Sequence, residues 1–337
     1  MSPNEFLRRL AKGEREFAGL TMHHANLSGA DLIGIILNGS NLHSSNLIFA
    51  YLNRASLIKI NLEDADLSGA NLSQADLSRA NLRTANLHGA VLQGANLKEI
   101  DATLANFLDA NLISADLRGS DLRGAVLIGA CLRGANMRQE RREYKTKLQG
   151  ADLSYCDLSN ANMKGVDLMR SNLINANLQG VNLREADLRE ADLSGANLEG
   201  AYLSEANLTE AKLTGANLSR TNLSRAIFIR AQASLTNFRE SVMTNINLSY
   251  ANLTQSNFTL ARMNYADLSR SNLIEANLTE TELTEAFLVK ADLTMSNLTK
   301  ADLLRADMNN VTLSGTIFCE TTMPSGQIRN PIMTTKI

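Results

Sequence analysis

The sequence predicts an all-β solenoid, in which the chain winds into square coils that stack on one another. A large apolar residue, usually Leu, recurs at every fifth position, as at Leu183, Leu188, Leu193 and Leu198 in NLREADLREADLSGANL (182–198). A small residue, usually Ala, stands two places before it, and the other positions are mostly polar. Helices repeat every 3.6 residues and strands every 2, so neither explains this period.

A coil that turns one corner in every five residues closes after four corners. Two side chains in five then point inward, and the large one is called the centre below. Stacked coils pair backbone to backbone at the strand spacing of about 4.8 Å. Centres run from Phe17 to Met137 and, after a break, from Leu148 to Met323, which predicts roughly fifteen coils.

Two centres are alanines, Ala102 and Ala233, where nearly all others are Leu, Met or Phe. A small centre leaves a void in a narrow interior. We expect Leu104 and Leu235, two residues further on, to fill it, and a kink in the coil is the alternative.

The repeated motif A(D/N)LXX, as in ADLSGANLSQADLSRANL (65–82), resembles the pentapeptide repeat proteins. The resemblance covers about residues 15–323 and implies a right-handed quadrilateral β-helix. The segment FLRRLAKGEREFAGL (6–20) also resembles the N-terminal segment of cyanobacterial members.

The two ends of the repeat are expected to be capped, because a bare solenoid end is an open sheet edge. Ser2, Pro3 and Glu5 match the first positions of a helix, and Phe6, Leu7 and Leu10 would share one of its faces. The expected divisions are a cap helix at 1–13, a first repeat part at 14–139, an inserted charged loop at 140–147, a second repeat part at 148–323, and a C-terminal cap or tail at 324–337.

The break between Met137 and Leu148 spans eleven residues instead of five. Either one group of five is skipped with one extra residue, or six residues, about Glu140–Lys145, loop out and the coil resumes. If six residues loop out, a nearly uncharged face before the break continues as a nearly uncharged face after it. We therefore favour the loop.

With that register, one face has charged residues at only two of the thirty positions that directly follow its centres, Asp109 and Glu275. The other faces have 11 of 30, 9 of 30 and 13 of 32. Charge depletion is typical of interface cores, so this face is a candidate association surface. Its alternative origin is duplication that copied Ser-Gly and Thr-Gly pairs without purpose. Its apolar residues are Ile48, Phe49, Leu108, Ile128, Tyr155, Ile174, Leu235, Ile274 and Met295.

The inserted loop is the one expected protrusion from a regular surface, and loops on rigid frameworks often bind partners. It is rich in basic residues and could contact an acidic partner, although it could equally be a tolerated surface insertion. Its candidate residues are Arg138, Arg141, Arg142, Tyr144 and Lys145.

Composition argues against several classes of protein. The formal net charge is −2, from 33 basic and 35 acidic residues, which is not the footprint of a nucleic-acid-binding protein or of one bound to an acidic membrane. The three cysteines are far apart and predict no disulfide framework. No apolar run is long enough to insert into a membrane, and we expect a cytoplasmic protein.

The sequence predicts no enzyme, no cofactor and no small-molecule substrate, because catalysis needs unlike groups that converge in a concave site. His23, His43 and Glu63 occupy one outward position in three successive coils and are weak candidates for a surface metal site. The Asn and Asp residues that precede the centres are expected to hydrogen-bond the local backbone.

These observations favour a non-enzymatic scaffold that binds a protein partner, or itself as a homodimer, through the charge-poor face and the loop with its flanking residues, 138–147. The resemblance implies an alternative, because some family members mimic DNA and act on DNA gyrase. Those members are acidic, whereas this chain has nearly equal numbers of basic and acidic residues. Surface metal binding is the second alternative.

Overall fold

The computed structural model describes residue 1 and residues 3–141 and 144–330, which form two compact units, Met1–Asn177 and Leu178–Ile337. The expected helix cap Ser2, the loop residues Arg142 and Glu143, and residues 331–337 lie outside the described part. The elements longer than a single bridge are helix α1 (Pro3–Ala11) and strands β1 (Thr321–Thr322) and β2 (Ile328–Arg329). Among the described residues, no helix has the length and apolarity needed to cross a membrane.

Each unit is a solenoid whose coils pair through single parallel bridges. In the first unit the paired residues are twenty apart, starting with Glu16 and Ile36. Across the interruption they are 26 apart, as in Asp121 with Lys147, which is a full coil plus six residues. In the second unit the spacing is twenty throughout. Side chains separated by one coil in sequence therefore stack in columns within a unit.

The corners are built by the residues around each centre. The second residue after a centre has a left-handed backbone: 41 described non-glycine residues have φ between 54° and 62°. The Asn or Asp before the centre closes the turn, since its Oδ1 accepts from the amide two residues on, as Asp66 does from Ser68 at 2.9 Å. This confirms the local structural role predicted for these side chains.

The expectation that Leu104 and Leu235 fill the interior is wrong. Ala102 and Ala233 are fully buried, but Leu104 is 59% exposed and Leu235 is 58% exposed. Both leucines occupy the left-handed corner position, with φ of 59° and 58°. That position points its side chain away from the interior, so a leucine there cannot replace a missing centre.

Buried phenylalanine centres adjoin both alanine centres along the chain. Phe107 is the next centre after Ala102, while Phe228 and Phe238 are the centres on either side of Ala233, and all three rings are fully buried. Phe238 also stacks on Phe258 in the next coil, with ring centroids 4.9 Å apart and nearly parallel planes. Large and small centres thus compensate for one another in volume.

Helix α1 covers the start of the first unit. Phe6 is fully buried and meets the Phe17 ring edge-on, with centroids 4.7 Å apart. Leu10 is 8% exposed, but Leu7 is 37% exposed, so the expected three-residue face is a two-residue contact. Arg9 pairs with Glu14 just beyond the helix.

The second unit ends in a small hairpin. Strands β1 and β2 are antiparallel, with Thr321 opposite Arg329. The turn is closed by the Met323 amide, which donates to the Gln327 carbonyl at 2.8 Å. The Arg329 guanidinium lies 4.0 Å from the centroid of the Phe318 ring. The hairpin thus folds back beside the last centres.

Candidate interaction surfaces

The charge-poor face is the side of each unit formed by the two columns that follow its centres. In the first unit these centres are Leu27, Leu47, Leu67, Leu87, Phe107, Leu127, Leu153 and Leu173. In the second unit they are Leu193, Leu213, Ala233, Leu253, Leu273, Leu293 and Leu313. The two stretches are described separately below.

In the first unit, four predicted residues form an apolar patch across adjacent coils. Leu108, Ile128 and Ile174 are half-buried, and the Tyr155 side chain is 63% exposed. The coils are in direct register, since the Asp109 amide donates to the Ile128 carbonyl at 3.0 Å and the Tyr155 amide to the Ile174 carbonyl at 3.0 Å. Sequence positions far apart are therefore neighbours on this surface.

Ile48 and Phe49 form a second, smaller apolar patch on the same face of the first unit. Ile48 is half-buried, whereas Phe49 is 66% exposed. The Phe49 ring lies over Gly69 in the next coil, so closely that a β-carbon at Gly69 would collide with it. Because Gly69 has no side chain, it leaves the space that this ring occupies.

In the second unit, Leu235 and Met295 are each 58% exposed and Ile274 is half-buried. Glu275 is the one charged residue in these two columns, and its Oε2 accepts from the Gln255 amide at 2.7 Å. Gln255 stands one coil before Glu275 in the same column. A neutral side chain thus partly covers the single charge on this stretch.

The column that precedes the centres brings some charge to the charge-poor face, but that charge is locally bonded. Lys212 Nζ lies 3.4 Å from Asp192 Oδ2 in the neighbouring coil. Asp66 accepts from the Asn86 side chain at 3.2 Å. Asp66 and Asp192 carry turn hydrogen bonds, so they lie along the corner beside the exposed apolar residues.

The C-terminal end of the inserted loop is fixed to the first unit. Lys145 Nζ lies 2.7 Å from Asp167 Oδ2, whose side chain is only 5% exposed. Thr146 is fully buried, and its hydroxyl donates to the Leu117 carbonyl at 3.0 Å. Lys145 therefore serves an internal ion pair, which makes it a poorer contact for a partner than its sequence position indicated.

The outer part of the loop offers Arg141 and Tyr144. The Tyr144 amide donates to the Arg141 carbonyl at 3.0 Å, and the Tyr144 side chain is 47% exposed. Arg141 is exposed and makes no ion pair with any described residue. Arg138 Nη2 lies 3.8 Å from Glu140 Oε1. The remaining candidate, Arg142, lies outside the described residues.

A groove of about 310 Å³ lies between the loop and the coils of the first unit. Sequence reasoning missed most of its lining, because only Arg141 and Tyr144 had been singled out. Apart from Glu140, which is in the loop, the missed residues belong to the most highly charged of the four faces, and their columns lie beneath the loop. Reading that face by column would have found them. The lining consists of Arg79, Lys98, Glu99, Arg118, Gly119, Glu140, Arg141 and Tyr144.

Arg118 is the most enclosed cation of this groove, with a side chain that is 17% exposed. Its Nε and Nη2 donate to the two carboxylate oxygens of Asp116 at 2.8 and 2.6 Å. Partial burial acts to raise the pKa of Asp116, but its hydrogen bonds with Arg118 lower that pKa overall. The side-chain hydrogen bond to Asp116 raises the pKa of Arg118 in turn, so both groups stay charged.

The predicted metal column does not converge. The His23 and His43 rings are 6.2 Å apart between centroids. Glu63 Oε2 instead accepts from the Asn81 side chain at 3.2 Å, and its other oxygen lies 3.9 Å from Arg83. Within the described ranges, no group of three or more His, Cys, Asp or Glu side chains could hold a metal ion.

The repeat register agrees with a match to a known family. The family model described as pentapeptide repeats (8 copies) matches residues 22–57, 60–99, 105–139, 146–184, 167–204, 201–239, 241–279, 276–315 and 288–323. The chain belongs to the pentapeptide repeat family. Pentapeptide repeat proteins fold as right-handed β-helices, and this handedness applies to the coils of each unit.

Several solved structures match this chain. HetL, involved in heterocyst differentiation regulation in the cyanobacterium Nostoc sp. strain PCC 7120, is 24% identical, with 98% of this chain and all of that chain covered and a TM-score of 0.17. Full-length QnrB1, a plasmid-mediated fluoroquinolone resistance protein, is 17% identical over 74% of this chain and 93% of its own, with a TM-score of 0.18.

A pentapeptide repeat protein from the Arabidopsis thaliana thylakoid lumen is 29% identical over 36% of this chain and 71% of its own, with a TM-score of 0.19. No curated protein sequence matches this chain. The family assignment rests on the match to the family model alone.

Proposed function

We propose that this pentapeptide repeat protein is a non-enzymatic, cytoplasmic scaffold that binds a protein partner or a second copy of itself. The contact surface is the charge-poor face of each unit, and in the first unit the outer part of the inserted loop adds to it. The finer architecture is part of the proposal: about fifteen coils, with the loop at 140–147 dividing the repeat and caps at 1–13 and 324–337.

One observation carries the proposal. Six large apolar side chains among the described residues are 58% or more exposed. Four of the six lie on the charge-poor face: Phe49, Tyr155, Leu235 and Met295. Chance would spread them over four faces, and exposed apolar groups in a surface depleted of charge are typical of interface cores.

The polar residues of the described coils support a non-catalytic role. Serines and threonines after the centres donate to the preceding Asn or Asp, as Ser73 does to Asn71 at 2.7 Å. Their hydroxyls are thus committed to the corners and lie in repeating columns. Such an array holds the fold together and assembles no acid, base and nucleophile at one point.

The test is affinity capture from native cell extract with three baits. One is the wild type, and one carries Ser68, Ser194 and Thr214 changed to Lys on the charge-poor face. The control carries Ser73, Ser219 and Thr259 changed to Lys, which occupy the same position after the centre on the adjacent face. Net charge is therefore equal in the two variants.

We expect a stoichiometric partner that is retained by the wild type and the control and lost from the charge-poor-face variant. Sedimentation of the three pure proteins tests self-association. Wild type and control should then form a dimer, and the charge-poor-face variant should stay monomeric. Equal recovery from all three baits would refute the proposed surface. Capture of gyrase subunits, followed by inhibition in a supercoiling assay, would replace the scaffold by the DNA-mimic alternative.

A further inference from the structure

The groove beneath the inserted loop has an excess of positive charge. Of the residues that the structure describes, four with cationic side chains and two with carboxylates line it. Asp116 lies behind Arg118 and Lys98, and Arg138 lies beside Glu140. With these two included, the described residues bring five cations and three carboxylates to the groove, an excess of two positive charges.

Arg118 is positioned as the base of an anion site. Asp116 holds two of its nitrogens in a bidentate pair, which fixes the plane of the guanidinium. The remaining Nη1 points toward the loop and contacts Glu140 Oε1. A planar guanidinium with one edge anchored and one edge presented is well suited to an oxyanion.

Glu140 occupies the place that such an oxyanion would take. It is a loop residue with a half-exposed side chain, so little burial energy holds it there. Its carboxylate meets Arg118 on one side and Arg138 on the other. An ion pair whose carboxylate is half-exposed contributes little stability, and a doubly charged competitor would displace that carboxylate.

We propose that this groove binds a phosphate monoester, with Arg118 and Arg141 contacting the phosphate and Glu140 acting as an internal stand-in for it. The two excess positive charges match a dianion. The volume of about 310 Å³ accommodates a phosphate together with a small organic group. Tyr144, which packs beside Gly119 at the rim, offers its ring or hydroxyl to that group.

The test is calorimetric titration of the full chain with phenyl phosphate and with inorganic phosphate. Glu140→Gln removes the competing carboxylate and should tighten binding about fivefold, while Arg141→Gln should weaken it by a similar factor. The matched control is Glu205→Gln, which removes the same charge beside Arg225 in the second unit. This control should bind as the wild type does.

A phosphoserine peptide, its unphosphorylated twin and phenyl phosphate then distinguish a protein-borne phosphate from a small molecule. The proposal is overturned if Glu140→Gln shows no saturable heat with phenyl phosphate. It is also overturned if Glu205→Gln tightens binding equally, or if benzoate, a monoanion of similar size, binds as well as phenyl phosphate. The site is independent of the charge-poor face, so the lysine variant of that face should bind phenyl phosphate as the wild type does.

Discussion

Phe49 lies across Gly69, one coil further along the charge-poor face, and the ring fills the space that any β-carbon at Gly69 would need. Gly69 also has φ of 63°, a backbone conformation that costs other residues about 1–2 kcal/mol. A substitution at Gly69 is therefore destabilised for two independent reasons, the steric clash with Phe49 and the left-handed backbone. The same arrangement recurs where Met295 covers Gly315.

We predict that Gly69→Ala lowers the free energy of unfolding more than Gly89→Ala does. Gly89 has the same φ of 63° but nothing within 4 Å of an added β-carbon, so it should show the conformational cost alone, about 1–2 kcal/mol. Urea unfolding measures both. In the Phe49→Ala background the two glycine substitutions should cost the same, and a persistent difference there would contradict the steric account.

Ala233 should resist replacement by the Leu that most centres carry. The Phe228 and Phe238 rings beside it are fully buried, so Ala233→Leu adds volume where none is free and should destabilise the protein by about 1–3 kcal/mol. Thermal or urea unfolding provides the measurement. Combining it with Phe238→Leu should recover part of the loss, whereas a stabilising effect of Ala233→Leu alone would show that the interior has a void there.

The thiol of Cys156 should be unreactive in the folded protein. Burial raises its pKa to about 12, and its Sγ donates to the Leu127 carbonyl at 2.7 Å. Cys131 and Cys319 are half-exposed. At pH 8, Ellman's reagent should therefore titrate two thiols in the native protein and the third only after unfolding. Cys156→Ser should leave the native count at two, and three rapid equivalents from native wild type would contradict the prediction.

The Asp116 and Arg118 pair should contribute stability that depends on pH. The pKa of Asp116 is lowered in the folded state, so the contribution is present above the ordinary Asp pKa of about 3.9 and is lost as pH falls through the lower, folded value. Because the pair is partly solvated, we expect no more than about 1 kcal/mol.

Urea unfolding between pH 6 and pH 2.5 tests this expectation. Asp116→Asn keeps an oxygen that can close the turn but removes the charge, so its stability should fall less steeply with acid than that of the wild type. Asp76→Asn is the matched control, since Asp76 holds the same place before a centre and accepts from Ser78 without a described ion pair. If the fall in stability with acid became equally shallow in both variants, the effect would come from net charge and not from the ion pair.

The inward residues and the corners could be predicted from the sequence, because a period of five with alternating size allows few backbones. The placement of Leu104 and Leu235 could not, since the prediction considered volume and ignored the left-handed corner that turns these residues outward. The compensating signal was present in the sequence: Phe107 follows Ala102, and two phenylalanines flank Ala233.

The groove could have been predicted only in part, from the columns of its coil residues. Its charge depends on which loop side chains fold back, and the pairing of Lys145 with Asp167 removes one cation that sequence position left available. Long, flexible side chains near a loop have many partners within reach. Their choice is decided by local hydrogen bonding, as at Thr146, and not by the repeat.

The twenty-residue spacing of the bridges has a consequence for how the chain folds in the cell. A coil finds its partner as soon as the next twenty residues have left the ribosome, so pairing can follow synthesis from the N-terminus onward. Loop-closure entropy stays small at each step, because each step closes one coil on its neighbour. Helix α1 precedes the coils in the sequence, so it can cover the starting edge as soon as the first coil has formed, and the nascent protein is then protected from joining another chain by that edge.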